Sequence, residues 1–163
     1  MAQAAESEQL TNDVLEFQKL LRRGKPGANA YVVLLGLKTF DTPALLKIIQ
    51  RGLSYGALER FQENVRLSHN EIIELIQIPA RTLTRRKAQH RLQPDESDRL
   101  LRASRILGRA LELFEGDVES ARTWLSTPQT ALGGASPLNI AKTELGSREV
   151  ERLIGRLEHG VFS

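Results

Sequence analysis

The sequence predicts an all-α protein, and three features lead to this prediction. Apolar residues recur three and four positions apart along most of the 163 residues, which places them on one face of successive helices. Helix-capping residues stand before these stripes, and several stripes end at glycine. Only residues 31–37 (YVVLLGL) are rich in β-formers, and they are interpreted as one short N-terminal strand or as a buried segment.

Composition excludes several classes of protein. Hydrophobic residues make up 40% and charged residues 26% of the chain, which is typical of a folded domain and not of a disordered or fibrous protein. Cysteine is absent from the sequence, so neither disulfide bonds nor a thiolate zinc site are expected. The chain has no run of about eighteen apolar residues. Its N-terminal segment carries acids, Glu6 and Glu8, where a signal peptide has basic residues. We therefore expect no membrane span and no signal peptide, and a cytoplasmic protein.

Positive charge is concentrated in the middle of the chain. Residues 80–110 carry nine basic and three acidic side chains, whereas residues 1–79 are balanced and residues 111–163 carry five basic and eight acidic ones. A basic segment between neutral and acidic segments favours a polyanionic partner. A solvated helix face is the alternative interpretation of the same charges.

The positions of the predicted helices follow from their caps and stripes. Helices are expected to begin near Asp41, Ser54 and Ser68, and the last one follows Gly146. The longest begins at Pro94, and its apolar stripe consists of Leu100, Ala103, Leu107, Ala110, Leu111 and Phe114. Its basic residues are expected on the opposite face: Arg102, Arg105 and Arg109.

Residues 70–77 and 79–88 predict a helix-turn-helix, whose second helix would lie in the DNA major groove and bury Leu83. The exposed side of that helix is expected to bond to bases and phosphates through Arg81, Thr82, Thr84, Arg85, Arg86 and Lys87. Gln77 stands where such turns usually have glycine, and Ile73 stands where they usually have alanine. A structural or oligomerising helix pair is therefore the alternative.

No catalytic motif is found in the sequence, and we expect a protein that is not an enzyme. The histidines His69, His90 and His159 are far apart and lack the spacing of a helical metal site. The sequence has no phosphate-binding glycine loop and no nucleophile elbow. Neither a metal nor a cofactor is predicted.

Five motifs in unbroken order resemble the Xre/MbcA/ParS-type antitoxins, and the similarity spans residues 41–163. The motifs are IPARTLTRRK (78–87), LQPDESDRLLR (92–102), ARTWLSTP (121–128), LGGASPL (132–138) and GSREVERLIGRLEHGV (146–161). The resemblance implies an Xre-like helix-turn-helix domain over 41–93 and a small helical toxin-binding domain over 94–163. Residues 1–40 would form an N-terminal segment, which we interpret as a candidate dimerisation element.

The resemblance also implies a function. Antitoxins of this type are typically encoded beside a RES-domain toxin, which degrades NAD+ and stops growth. The chain would bind such a toxin, block its active site with the C-terminal domain, and repress its own operon through the helix-turn-helix. The alternative is a DNA-binding transcription regulator whose C-terminal module binds a partner other than a toxin.

Within the C-terminal domain, Trp124, Leu125 and neighbouring leucines are expected to form a helical core. The candidates for toxin contact are residues that a core does not explain: Arg148, Arg152, Arg156, Glu158, His159, Gly160, Val161 and Phe162. A helix end with arginines and a hydrophobic tip suits a pocket that holds an anionic dinucleotide.

A homodimer is expected, because a helix-turn-helix gains specificity by reading two half-sites about one DNA turn apart. The candidate dimer surfaces are the run of residues 31–37 and the N-terminal stripe of Leu10, Val14, Phe17 and Leu21. Packing of the same residues on their own chain is the alternative.

Overall fold

The structure is a computed structural model that describes residues 10–24 and 27–160, and it confirms the all-α prediction. Within those residues the chain forms helices and no β-strand, with one isolated bridge between Ser54 and Arg91. The helices are α1 Asn12–Arg22, α2 Thr42–Arg51, α3 Tyr55–Val65, α4 His69–Ile76, α5 Ala80–Gln89, α6 Pro94–Leu113, α7 Val118–Ser126, α8 Pro137–Ile140 and α9 Glu144–Glu158. Two 3-10 helices, Ala30–Leu35 and Thr130–Leu132, complete the described part.

Most helices begin where the capping residues predict, but the last one begins at Glu144, capped by Thr143, and so includes Gly146 rather than following it. The hydroxyl of Ser68 accepts a hydrogen bond from the Glu71 N–H at 3.1 Å, and the Glu71 carboxylate accepts one from the Ser68 N–H at 2.7 Å. This reciprocal pair satisfies two backbone donors that the first turn of α4 would otherwise leave without partners. Asp41 and Ser54 cap α2 and α3 in the simpler way, through one side-chain oxygen each.

The β-rich run is not a strand. Residues Ala30–Leu35 form a 3-10 helix, here called the central segment, and all six are buried. It contacts α1, α3 and α6, and bonds such as Gly36 N–H to Val33 O, at 2.9 Å, satisfy its backbone locally. A strand would need a partner strand for the same groups. The buried-segment interpretation is therefore confirmed, and the short-strand interpretation is wrong.

The N-terminal stripe packs on its own chain. Val14 is 0% exposed and Phe17 is 2% exposed, and α1 lies against the central segment. The buried amide of Asn64 donates to the Leu34 carbonyl at 2.9 Å and to the Asp13 carboxylate at 2.8 Å, which ties α1, α3 and the central segment together. Val14 and Phe17 are thus part of the core, and Leu10 and Leu21 are half-buried against it, as the alternative of packing on the same chain predicts.

Helix α6 runs through the middle of the protein. Its predicted stripe is buried except for Phe114, which is half-buried and follows the last residue of the helix, and α6 contacts the central segment as well as α2, α4, α7 and α9. At Gly108 a β-carbon would come within 2.6 Å of the Tyr31 β-carbon, so only glycine lets the central segment approach α6 this closely. The buried side chains of the described residues form one continuous core, which includes residues of α1 and α9.

We expect Leu34→Ala to lower the free energy of unfolding by about 2–4 kcal/mol, because it leaves a cavity where the central segment meets three helices. Urea-induced unfolding followed by circular dichroism measures the change. Leu46→Ala is the control, since Leu46 is 57% exposed and its loss should change the value by less than about 0.5 kcal/mol. Equal effects of the two substitutions would contradict a core role for the central segment.

Candidate DNA-binding and partner-binding surfaces

Helices α4 and α5 form the predicted helix-turn-helix, with bounds within two residues of the expected ones. Gln77 occupies the turn with φ +55° and ψ +42°, the left-handed conformation that glycine usually supplies, and its side chain donates to the Glu74 carbonyl at 2.5 Å. Ile73 is half-buried at the edge of the core. Neither residue prevents the two helices from packing around buried Leu83.

The outer side of α5 carries most of the predicted DNA-binding residues. Thr82 is half-buried, whereas four others are exposed: Arg81, Thr84, Arg85 and Lys87. The Thr84 hydroxyl donates to the Ala80 carbonyl at 3.1 Å, and its oxygen can still accept a hydrogen bond. Among the described residues, no ion-pair partner lies within reach of the three cations of this surface.

Arg86 is turned inward, and its expected place on the exposed side is wrong. Its Nε donates to both carboxylate oxygens of Glu96, at 2.6 and 3.1 Å, and the two side chains are only 12% and 5% exposed. Arg86 follows Leu83 by three residues and therefore lies on the same inner face of α5. The Glu96 carboxylate also accepts the Gln93 N–H at 2.7 Å, so one buried anion holds both α5 and the first turn of α6.

A second arginine connects α6 to the helix-turn-helix. Arg99 donates from Nη1 to the Gln77 carbonyl at 2.7 Å and pairs through Nη2 with Asp95 at 3.0 Å. The hydrogen bond from Arg99 gives the Gln77 carbonyl, at the turn between α4 and α5, a partner. The N-terminal half of α6 is thus a support on which the α5 helix is positioned.

The three arginines on the opposite face of α6 pair with three glutamates of α9, and we call these pairs the α6–α9 ladder. Arg102 bonds to Glu144 at 2.9 Å, Arg105 bonds to Glu151, and Arg109 bonds to Glu158 at 3.0 Å. The three glutamates are seven residues apart, or about two helical turns, so they lie along one edge of α9. The ladder connects α6 to the last helix.

The Arg102 hydrogen bond and charge lower the pKa of Glu144. A carboxylate with a lowered pKa in the folded state contributes stability above its unfolded pKa, and this contribution is lost as the pH falls through the folded value. The exposure of Glu144 limits its size, because solvent screens the pair.

Because of these contacts, only a small part of the positive charge of residues 80–110 is available to an external partner. Six of its nine cations bond within the chain: Arg86, Arg91, Arg99, Arg102, Arg105 and Arg109. Three remain for an external partner: Arg81, Arg85 and Lys87. All three lie on α5, so the polyanion interpretation now applies to one helix rather than to the whole segment.

The candidates for toxin contact divide into two groups. Arg148 and Arg152 project from α9 with side chains 63% and 66% exposed, and they pair only with Glu144 and Glu149 of the same helix. His159 and Gly160 are exposed at the helix end, and Arg156 has no ion-pair partner among the described residues. Glu158 instead belongs to the ladder. Val161 and Phe162 lie outside the described residues.

The core of the C-terminal part contains Leu125, which is fully buried, but Trp124 lies at its edge. The indole ring is half-buried and packs against Phe114 with ring centroids 6.2 Å apart. Sequence reasoning also missed Leu145, which is 72% exposed near the start of α9. Its position on the outer face follows from helical spacing to Arg148 and Arg152, a signal that could have identified it.

Residues 10–24 and 27–160 contain no group of three or more side chains placed to hold a metal ion. None of the helices in that part is both long enough and apolar enough to cross a lipid bilayer.

Two known domain families match this chain, and the boundary between the two matches falls within α6. Residues 44–105 match the antitoxin Xre-like helix-turn-helix domain, and residues 109–160 match the antitoxin Xre/MbcA/ParS C-terminal toxin-binding domain. The fold and these matches define a two-domain helical antitoxin with a helix-turn-helix and a surface for a toxin. Both are binding domains, so the chain belongs to a non-enzymatic class.

Relatives that are named as antitoxins agree with this class. Antitoxin Xre of Yersinia enterocolitica is 41% identical over 79% of this chain and 88% of its own length, and antitoxin Xre of Photorhabdus laumondii is 32% identical over the same shares. A Prs ADP-ribosylating antitoxin of a Sphingobium species is 22% identical over 71% of this chain and 79% of its own length. The chain belongs to the Xre family of antitoxins.

We expect Glu96→Gln to lower the free energy of unfolding by about 2–3 kcal/mol, because it leaves the buried Arg86 guanidinium without its counter-charge. Asp95→Asn is the matched control at the next position. Its carboxylate is 76% exposed and its pair with Arg99 should be worth less than about 0.5 kcal/mol. Chemical denaturation of both variants makes the comparison, and similar losses would contradict the special role of Glu96.

Proposed function

We propose that this antitoxin binds an NAD-degrading RES-type toxin, blocks the toxin's active site, and represses its own operon in the cytoplasm. The observation that carries the proposal is the outer face of α9. It lies within residues 109–160, and its arginines Arg148 and Arg152 take no part in the core. Arginine side chains and a helix end that includes His159 suit a pocket built for an anionic dinucleotide.

A second candidate chemistry comes from the Sphingobium relative. Because that antitoxin is named for a Prs ADP-ribosylating partner, the toxin of this chain would be one that transfers ADP-ribose to a protein. Both reactions use NAD+, and they differ in the acceptor. Incubation of purified toxin with NAD+ labelled in its ADP-ribose part, together with a cell lysate that supplies acceptor proteins, distinguishes them: hydrolysis releases free labelled ADP-ribose, whereas transfer leaves the label on protein.

The toxin-binding part is tested by co-expression with the product of the adjacent gene. We expect the two proteins to co-purify and the antitoxin to restore growth and cellular NAD+. A regulator with another kind of partner would neither rescue growth nor bind the adjacent product. That outcome would favour the alternative function, a transcription regulator outside a toxin–antitoxin pair.

Operator binding would use the outer side of α5. The contact residues we propose are Arg81, Thr82, Thr84, Arg85 and Lys87. Arg86 is assigned the role of holding α5 against α6, because its guanidinium is already bonded to Glu96. Two copies of α5 in a homodimer would read two half-sites.

We expect the double substitution Arg81→Ala and Arg85→Ala to weaken operator binding at least about tenfold and to reduce the slope of log affinity against log salt by about 2, because two phosphate or base contacts are lost. A gel-shift titration at several salt concentrations measures both quantities. The control removes two cations far from α5, Lys19→Ala and Arg122→Ala, and should leave the slope nearly unchanged. An unchanged affinity in the folded α5 variant would exclude this helix from DNA binding.

A further inference from the structure

One face of α9 has no partner within the described part of the chain. The residues of this face, here called the outer stripe, recur every three or four positions, with Gly155 and Arg156 adjacent to each other: Leu145, Arg148, Arg152, Gly155, Arg156 and His159. The stripe is about 20 Å long at 1.5 Å per residue. The opposite face holds Val150 and Ile154, both fully buried, so α9 is fixed on the protein by its other side.

Gly155 is the unexplained residue of this stripe. Its backbone is helical and does not have the positive φ that would favour glycine. A β-carbon at Gly155 would meet no atom within 4 Å beyond its own helix backbone. Alanine would therefore fit there and would favour the helix more than glycine does.

Two other helical glycines, Gly108 and Gly146, differ from Gly155 in this respect. A β-carbon at Gly146 would lie 1.8 Å from the Ile140 carbonyl oxygen, and one at Gly108 would lie 2.6 Å from the Tyr31 β-carbon. Each of these glycines permits a close approach of two parts of the chain. By the same physical reasoning, Gly155 permits a close approach by something outside the chain.

The side chains around Gly155 indicate what kind of partner this is. Arg148, Arg152 and Arg156 bring three guanidinium groups to the stripe, two of which pair with Glu144 and Glu149 of the same helix, and such groups complement an acidic surface. Leu145, at 72% exposure, is an apolar anchor at one end of the stripe. An exposed leucine and a bare helix backbone favour a protein over DNA, because phosphates are bound by hydrogen-bond donors and cations.

We propose that the toxin packs its backbone against Gly155 and places carboxylates beside the flanking arginines of the outer stripe, with Leu145 in a pocket of the toxin. This inference rests on the proposed function and specifies its surface, since residues 109–160 match the toxin-binding domain and contain the whole stripe. The contact at Gly155 lies one helical turn before His159. A toxin held there therefore lies next to the helix end that would enter its active site.

The test compares Gly155→Gln with Gly56→Gln in full-length protein, using the adjacent gene's toxin in a catalytically inactive form. Gly56 is an exposed helical glycine, whereas Gly155 is half-buried, and a β-carbon at Gly56 makes only an ordinary contact with Ser54 Oγ at 3.7 Å. We expect Gly155→Gln to weaken toxin binding at least about tenfold in a titration, while Gly56→Gln binds as the wild type does. Thermal unfolding provides the check on folding: Gly155→Ala should raise Tm by about 2 °C.

The outcomes separate this inference from the proposed function. Wild-type affinity in a folded Gly155→Gln variant would overturn the surface and leave the antitoxin function intact. Failure of the wild-type chain to bind the toxin would overturn both. The pair Arg148→Glu and Arg152→Glu should also weaken toxin binding and leave operator binding unchanged, and loss of operator binding alone would assign the stripe to DNA.

Discussion

The close packing of the central segment against α6 is the contact on which the rest of the structure depends. Six consecutive buried residues occupy the space between α1, α3 and α6, and the missing side chain of Gly108 makes room for Tyr31. Because this contact is central, α1 belongs to the core although it lies outside both matched domains. The helix-turn-helix and α9 are then held on the two halves of a helix that is itself immobilised.

The basic side chains of the protein have two uses: some hold helices together, and others remain at the surface. Buried Arg86 and partly exposed Arg99 hold the helix-turn-helix in place, and the ladder holds α9. Among the exposed cations are those of α5 and of the outer face of α9, the two surfaces assigned to partners. A net charge of +3 conceals this division, because the pairs that stabilise the fold contribute nothing to it.

Much of the fold could be predicted from local sequence. Caps such as Ser68 and the stripe of α6 depend on residues within a few positions of each other, and the structure confirms both. The central segment could not be assigned in this way, because its 3-10 form depends on three helices that surround it. Arg86 was placed wrongly for a similar reason: its partner Glu96 is ten residues away, across a chain reversal. The ladder glutamates had a usable signal, since three acids spaced by seven lie on one side of a predicted helix.

The ladder also affects how antitoxin genes can exchange parts. Arg102 and Arg105 belong to the helix-turn-helix match and Arg109 to the toxin-binding match, so the seam between the domains passes through the set of ion pairs. Recombination at this seam would bring arginines from one ancestor against acids from another. A toxin-binding domain from another antitoxin would therefore form the ladder only if its last helix carried acids at the same three positions, seven residues apart. In this family, specificity for a toxin and for an operator would be inherited together more often than a two-domain plan alone implies.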